Sequence, residues 1–285
     1  MLVRLSSRTS AWSSCRSRAP PKVGRHVNQV VASRFGKTIL ELGGNNAMIV
    51  DQDADLEMAL RATLFSAVGT AGQRCTSLRR LFLHEDIHDE FLRRLLAAYK
   101  TVKVGNPLED GVLCGPLHNT QAVKNYVDGI KTIKEQGGKI LIGGKTIDGP
   151  GHFVEPTIVS ITHDAPIVQK EIFAPIMYVL KFKTLEEAIE KNNAVPQGLS
   201  SSILHQEPVG RVQVDRVRSA RTAVSSTSTL VPAALRIGGA FGGEKETGRW
   251  PRVGAQTAGS STCADRRARS TTARSCRWRS GINFS

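Results

Sequence analysis

From residue 22 to residue 192 the chain interleaves short apolar runs with longer segments whose apolar residues recur every three to four positions. Val23, Val27, Val30, Val31 and Phe35 keep helical spacing and predict a helix over 22–36, with Gly36 as its C-terminal cap. A strand is expected at 38–42, a turn at Gly43-Gly44 and a second strand at 47–50. Helix 54–68 follows, placing Leu56, Ala59, Leu60, Thr63, Leu64 and Ala67 on one face. Strand 78–83, helix 87–101, helix 120–136, strand 139–142, an extended stretch at 153–159, strand 175–182 and helix 185–192 complete the series. Strands alternating with helices predict an α/β fold on a largely parallel sheet. A chain of 285 residues is long enough to bury a substantial core.

The formal charge of +14 invites a nucleic-acid or acidic partner, but its distribution argues against one. Residues 1–34 carry seven Lys/Arg and no acid, and residues 206–285 carry fourteen Lys/Arg against five acids. Residues 35–205 hold 18 Lys/Arg against 20 Asp/Glu, so the core is nearly neutral. The basic ends lack the interleaved aromatics that stack on bases, and no nucleic-acid partner is expected. No run of eighteen apolar residues occurs, so no membrane span is expected. Five cysteines without a C-x-x-C pair suit a reducing compartment. Residues 1–20 are Arg- and Ser-rich and free of acids, which fits a mitochondrial transit peptide or a non-native start. The expected location is therefore cytoplasmic or mitochondrial.

The chemistry-bearing stretch runs from Glu41 to Cys75. Glu41 ends an apolar strand before a glycine turn, and Cys75 lies in the loop Gly69-Thr70-Ala71-Gly72-Gln73-Arg74-Cys75. Taken alone, Glu41 reads as a carboxylate solvated at a strand end, and Cys75 as an inert buried thiol. Together they supply a nucleophile and a base for covalent acyl chemistry. Small and polar neighbours leave Cys75 open to a substrate, and Arg74, Arg79 and Arg80 are expected to lower its pKa. Cys15, Cys114, Cys263 and Cys276 have no such surroundings and are read as structural or incidental. In Lys170-Glu171-Ile172-Phe173-Ala174-Pro175, extended backbone would turn Glu171 and Phe173 to one side.

Three other patterns fail as sites. His84-Glu85-Asp86-Ile87-His88 matches a zinc-protease motif, but it straddles a strand end and a helix start, and no third ligand is evident. Asp51, Asp53 and Asp55 resemble the opening of a calcium loop, yet Leu56 and Ala62 stand where Gly and Glu are needed. These acids are instead expected to start the following helix. Gly137-Gly138 and Gly143-Gly144 are turn glycines, not a dinucleotide fingerprint. No metal is expected.

Glu41-Leu42-Gly43-Gly44-Asn45-Asn46, Gly72-Gln73-Arg74-Cys75 and Glu171-Ile172-Phe173-Ala174-Pro175 resemble, in order, the signatures of NAD-dependent aldehyde dehydrogenases. The resemblance runs from about Val23 to Ile203 and resumes over residues 237–248. Asn45-Asn46, the wording Thr70-Ala71-Gly72-Gln73-Arg74-Cys75 and Gly239-Ala240-Phe241-Gly242-Gly243-Glu244-Lys245 bring it nearest the antiquitin branch, which acts on α-aminoadipic semialdehyde in lysine breakdown. The resemblance implies a catalytic domain with a remnant of the Rossmann-like cofactor domain, an aldehyde substrate and NAD as cofactor. It implies that Cys75 attacks the aldehyde, that Glu41 activates the water that hydrolyses the thioester, and that the Cys75 amide is half of an oxyanion hole. By the same resemblance Leu42 contacts the nicotinamide through its backbone, Glu171 holds the nicotinamide ribose with Phe173 packed nearby, and Gly24 belongs to the cofactor turn. Arg74 is assigned the substrate's distal carboxylate, which an arginine grips with two donors.

The departures shape the expected organisation. Residues 1–21 read as a non-family basic leader, 22–40 as the cofactor-domain remnant, 41–248 as the catalytic domain with 205–236 aberrant, and 249–285 as a disordered or aberrant basic tail. The family's cofactor lysine and its oxyanion asparagine have no counterpart. Pro232-Ala233-Ala234-Leu235-Arg236 does not match the substrate loop, and only Ile282-Asn283-Phe284-Ser285 echoes the pairing strand. The end past Ile203 resembles coding sequence read out of frame, with 237–248 briefly back in register. Loss of one oxyanion donor costs about a hundred- to thousandfold in rate. Little or no dehydrogenase activity is expected of this chain alone. Alternatives are a non-catalytic fragment and a scaffold that pairs with intact subunits or forms homo-oligomers.

Overall fold

The computed structural model describes residues 14–205 and 243–248. Its centre is a six-stranded sheet built from β3 (Asn46–Val50), β4 (Leu78–His84), β7 (Lys139–Ile142), β8 (Thr157–Ser160), β9 (Ile176–Phe182) and β11 (Ser201–Leu204). The order across the sheet is β11-β3-β4-β9-β8-β7. Every pairing is parallel except that of the edge strand β7 with β8. A parallel sheet must be covered on both faces, so its inner strands lack alternation. All seven residues of β4 are buried, as are all five of β3.

The covering helices are α2 (Leu56–Val68), α3 (Glu85–Lys100), α4 (Thr120–Glu135) and α5 (Leu185–Asn193). Helix α2 is started by Asp55, whose carboxylate accepts the Met58 N–H at 3.0 Å. Its burial goes beyond the expected face, since Ala62, Ser66 and Val68 are inside as well. Small residues let it lie flat in the core. Asn119 caps α4 and Thr184 caps α5, each accepting an N–H from the first turn. Among the described residues no helix is long and apolar enough to cross a membrane.

A second, two-stranded parallel sheet pairs β1 (Ser14–Arg18) with β2 (Lys37–Glu41), joined by α1 (Pro21–Ala32). Part of the stretch read as a basic leader thus forms a strand, which the sequence did not announce. The strand forms because backbone pairing asks little of side chains, and Cys15 supplies an apolar anchor beside Val27, Val31 and Leu40. Helix α1 also ends earlier than expected, and Gly36 is not the left-handed cap. Phe35 takes that conformation instead, at φ 58°, and its ring is 99% exposed rather than on the buried face. The Gly36 N–H reaches Val31 O at 3.0 Å and the Phe35 N–H reaches Ala32 O at 2.9 Å, which is the Schellman pattern displaced by one residue.

Four short strands were not anticipated: β5 (Lys103–Val104) with β6 (Val112–Cys114), and β10 (Gln197–Gly198) with β12 (Glu244–Lys245). Edge strand β11 was also missed, because Ser201 and Ser202 interrupt its apolar run. The 237–248 island is described from Gly243, and it returns to the site: the Leu42 N–H donates to Thr247 O at 2.7 Å. Beyond residue 205, the stretches expected to be aberrant or disordered (205–236 and 249–285) lie outside the described residues. So does Cys263, with Cys276 and the Pro232–Arg236 and Ile282–Ser285 motifs.

Candidate active site

Glu41 closes β2, and the chain then passes through Gly43 and Gly44 before β3 begins. The turn is squeezed between two other segments. A Cβ on Gly43 would lie 2.1 Å from Glu171 Oε2, and one on Gly44 would lie 2.2 Å from the Cys75 carbonyl oxygen. Those distances are far inside van der Waals contact, so glycine at both positions follows from close approach. The turn thus brings the Glu41 strand, the Cys75 loop and the Glu171 loop together.

The Cys75 loop is wound tightly. Thr70, Ala71 and Gly72 have φ of 57°, 51° and 67°, three left-handed residues in succession. Two of them are not glycine, and each costs of order 1–3 kcal/mol unless its surroundings impose it. The surroundings here are specific. Gln73 Nε2 donates to Pro116 O at 3.1 Å, and Gln73 Oε1 accepts the His118 N–H at 3.0 Å. Arg74 Nε donates to Thr70 Oγ1 at 2.9 Å. Asn46 Nδ2 donates to both Cys75 O and Ser77 O at 2.8 Å, while its Oδ1 accepts from the backbone and hydroxyl of Ser200. Asn46 therefore ties the Cys75 carbonyl to β3 and to the residue preceding β11.

Arg79 binds the three segments into one unit. Its buried guanidinium donates to Gly44 O, Gly72 O, Arg74 O and Ala174 O, and to Glu171 Oε1 at 3.2 Å. Arg80, also buried, turns the other way to Asn45 O, Lys191 O and Asn192 O. Adjacent strand residues face opposite sides of a sheet, so the two arginines serve different faces.

The thiol's electrostatics run against the expectation from the three arginines. The Cys75 thiol is pushed up from its ordinary value, first by burial, then by the negative charges of Glu171 and Glu41. Its own backbone N–H and Arg18 pull the other way and do not prevail. Arg79 is spent on carbonyls and Glu171, Arg80 on carbonyls, while Arg74 lies 5.3 Å from the Phe65 ring centroid. None of the three is among the groups that favour the thiolate, so the expected lowering does not occur. Glu171 and the Cys75 backbone meet across the glycine turn that follows Glu41, which places both acids where they weigh on the thiol.

The remaining expected site residues fall as follows. Gly24, in the first turns of α1, is packed against Leu42: a Cβ there would sit 2.4 Å from Leu42 Cδ2. Phe173 is 41% exposed, with the Arg79 guanidinium 5.5 Å from its ring centroid. Glu171 accepts the Gly44 N–H at 3.1 Å besides Arg79. One neighbour of Glu41 was missed altogether. Arg18 Nε hydrogen-bonds Glu41 Oε2, across paired positions of β1 and β2. No pattern in the basic leader could have singled it out.

The patterns set aside in the sequence have the following surroundings, and two of the acids join a histidine in a group whose ligand atoms lie within 4.8 Å of one another. His84 ends β4 and caps α3 by accepting the Asp86 N–H, so His84 and His88 do not share one helix. Asp51 and Asp53 face His205, whose Nδ1 lies 3.1 Å and 2.7 Å from their oxygens. Cys15 and Cys114 are buried, and burial pushes the Cys114 thiol up to about 12.

A thiol beside two carboxylates, at the meeting point of a glycine turn and a strained loop, is an arrangement suited to covalent acyl transfer. A model of the aldehyde dehydrogenase family matches residues 20–261. Aldehyde dehydrogenase family 7 member A1 of Brassica napus is 52% identical over 236 residues, covering 83% of this chain and 48% of the relative. Alpha-aminoadipic semialdehyde dehydrogenase of Rattus norvegicus is 53% identical over 228 residues, covering 80% and 42%. The chain thus spans about half the length of the curated relatives it matches. A betaine aldehyde dehydrogenase of Staphylococcus aureus, solved in complex with NAD+, superposes with a TM-score of 0.82 at 26% identity, covering 88% of this chain and 51% of that one. The chain belongs to the aldehyde dehydrogenase family.

Proposed function

We propose that the chain carries the acyl-transfer machinery of an NAD-dependent aldehyde dehydrogenase, with Cys75 as nucleophile, Glu41 as base and an aldehyde of the α-aminoadipic semialdehyde kind as substrate. The supporting observation is the convergence of Cys75, Glu41 and Glu171 on the Gly43-Gly44 turn. The sulfur of Cys75 adds to the carbonyl carbon, and its proton leaves. The oxygen that gains charge is met by the Cys75 N–H. Bound NAD would supply the hydride acceptor for this step. Glu41 then takes a proton from water as that water attacks the thioester carbon. The C–S bond breaks, the acid departs and the sulfur regains a proton.

The residues suit the nicotinamide end of such a cofactor. Glu171 offers carboxylate oxygens for ribose hydroxyls, and the exposed Phe173 ring offers a flat apolar face beside it. The backbone of Leu42 would meet the carboxamide. Gly24 lies in the first turns of α1, a helix start that favours phosphate. Arg74 would meet a substrate carboxylate once it leaves Thr70.

Because the chain spans about half of its relatives' length, a second reading accompanies the first: alone it turns over little or not at all, and it pairs with a full-length homologue. The Arg- and Ser-rich start supports a mitochondrial or cytoplasmic setting. An activated ester such as p-nitrophenyl acetate tests the catalytic roles without any cofactor. Peptide mapping should find the acetyl group on Cys75, and an adduct elsewhere would sink the assignment. With aldehyde and NAD, no NADH is expected from the chain alone. Steady turnover abolished by Cys75→Ala would overturn the low-activity reading.

A further inference from the structure

We infer that Arg18 restrains Glu41 as a base, so that an acyl group on Cys75 is hydrolysed more slowly than the Glu41 carboxylate would otherwise allow. The inference rests on the roles proposed above for Cys75 and Glu41. Strands β1 and β2 run parallel with Arg18 opposite Glu41, and the Ala19 N–H donates to Glu41 O at 3.4 Å. That register delivers the guanidinium to the carboxylate, and Arg18 Nε bonds Glu41 Oε2. The partners are unequally placed: the Glu41 side chain is 12% exposed and that of Arg18 is 72% exposed. A solvent-borne cation closes over a sheltered carboxylate.

The segment that delivers Arg18 precedes the family match, which begins at residue 20. Its strand is held by backbone pairing and by buried Cys15 and Ser17, and neither depends on the Arg18 side chain. The Arg18 charge also favours the Cys75 thiolate, so this one residue bears on both reacting groups with opposite effect. In deacylation, water must lose a proton to Glu41 as its oxygen bonds the acyl carbon and the C–S bond breaks. With Arg18 held on Oε2, that oxygen must release the guanidinium before it can take the proton, which leaves the water only the Oε1 side of the carboxylate to approach. Arg18 is therefore a positioning residue, acting through Glu41.

The test uses the full chain and p-nitrophenyl acetate. The nitrophenolate burst reads acylation of Cys75, and the following steady rate reads deacylation. Arg18→Gln should raise the deacylation rate by about two- to fivefold, the scale of an ion pair with one exposed partner, and acylation should stay level or fall. Arg18→Lys should give a smaller gain, because it keeps the charge without the guanidinium. In a Glu41→Gln background, Arg18→Gln should leave the deacylation rate unchanged, while any fall in acylation through the Cys75 thiolate persists. Unchanged or slower deacylation in Arg18→Gln would overturn the inference, as would a gain that persists without Glu41. If Arg18→Gln does not fold, Arg18→Lys carries the same comparison. Absence of any burst or acetyl adduct at Cys75 in the parent chain would sink the catalytic roles, and the inference with them. A burst with deacylation indifferent to Arg18 sinks the inference alone.

Discussion

Arg79 and Glu171 form a buried salt bridge, with Nη2 and Oε1 3.2 Å apart, and the same guanidinium also collects the Gly72 and Arg74 carbonyls just ahead of Cys75. The pair joins β4 to the loop before β9 and so fixes where the thiol sits relative to the Gly43-Gly44 turn. Removing one partner of a buried pair strands the other. Arg79→Ala should destabilise the chain by about 3–5 kcal/mol, read by urea denaturation. Arg79→Lys should recover little of this, because one ammonium cannot reach five spread acceptors. A Lys variant as stable as the parent would show that the carbonyl contacts contribute nothing.

The Cys75 thiol should be sluggish at neutral pH. Its pKa is raised, so the thiolate fraction at pH 7 lies below that of an ordinary cysteine. Alkylation by iodoacetamide at Cys75 should therefore climb with pH and reach half its maximum above pH 9, the ordinary value. Both neighbouring carboxylates disfavour the anion. Glu171→Gln should move the midpoint down, and Glu41→Gln should do so by less, following the order of their influence. A midpoint near 7 in the parent chain would show that the loop cations reach the sulfur after all.

His163 predicts how the fold responds to acid. Its imidazole is buried beside Phe82, with ring centroids 6.0 Å apart, and neither ring nitrogen has a hydrogen-bond partner. Burial, aided by the nearby Arg80 charge, pushes it down to about 4. In the unfolded chain the ring takes up its proton near 6.5, while the folded chain resists until about pH 4. The unfolded state thus binds more protons in this window, and stability falls as pH drops from 6.5 toward 4. His163→Leu should flatten that part of the stability profile, measured by urea midpoints between pH 7 and 4.5. An unchanged slope would assign the acid sensitivity to other groups.

How much of this was legible depended on whether residue type alone carried the role. Glu41, Cys75 and Glu171 were readable as candidates because two carboxylates and a thiol stand in three short motifs in a recognisable order. The parallel sheet was readable because its buried strands are apolar runs. Arg79 and Arg80 were misread, since a run of basic residues shows charge but not direction. On a strand covered on both faces, one arginine reaches the site while the other reaches Asn45 and Asn192 behind it. Asn46 looked like part of a motif, and only its position shows it holding the Cys75 carbonyl. Strand β1 had no apolar pattern to announce it, because its pairing is made by the backbone.

The end of α1 shows a local conflict that the fold tolerates and a single substitution should relieve. The helix needs a left-handed residue one position after its last turn, and Phe35 occupies it at φ 58° with Gly36 one place too late. An L-residue with a Cβ pays about 1–2 kcal/mol for that conformation, and the exposed Phe35 ring gains no packing in return. Glycine adopts it without strain. Phe35→Gly should therefore stabilise the α1–β2 junction by about 1 kcal/mol, with Gly36 retained to donate to Val31 O. The gain should appear as a raised urea midpoint and as slower exchange of the Gly36 amide. Gly36→Phe in the parent chain should not mimic it, since a Cβ there would meet Val31 Cγ1 at 2.7 Å. A Phe35→Gly variant less stable than the parent would show that the ring packs where the structure leaves it exposed.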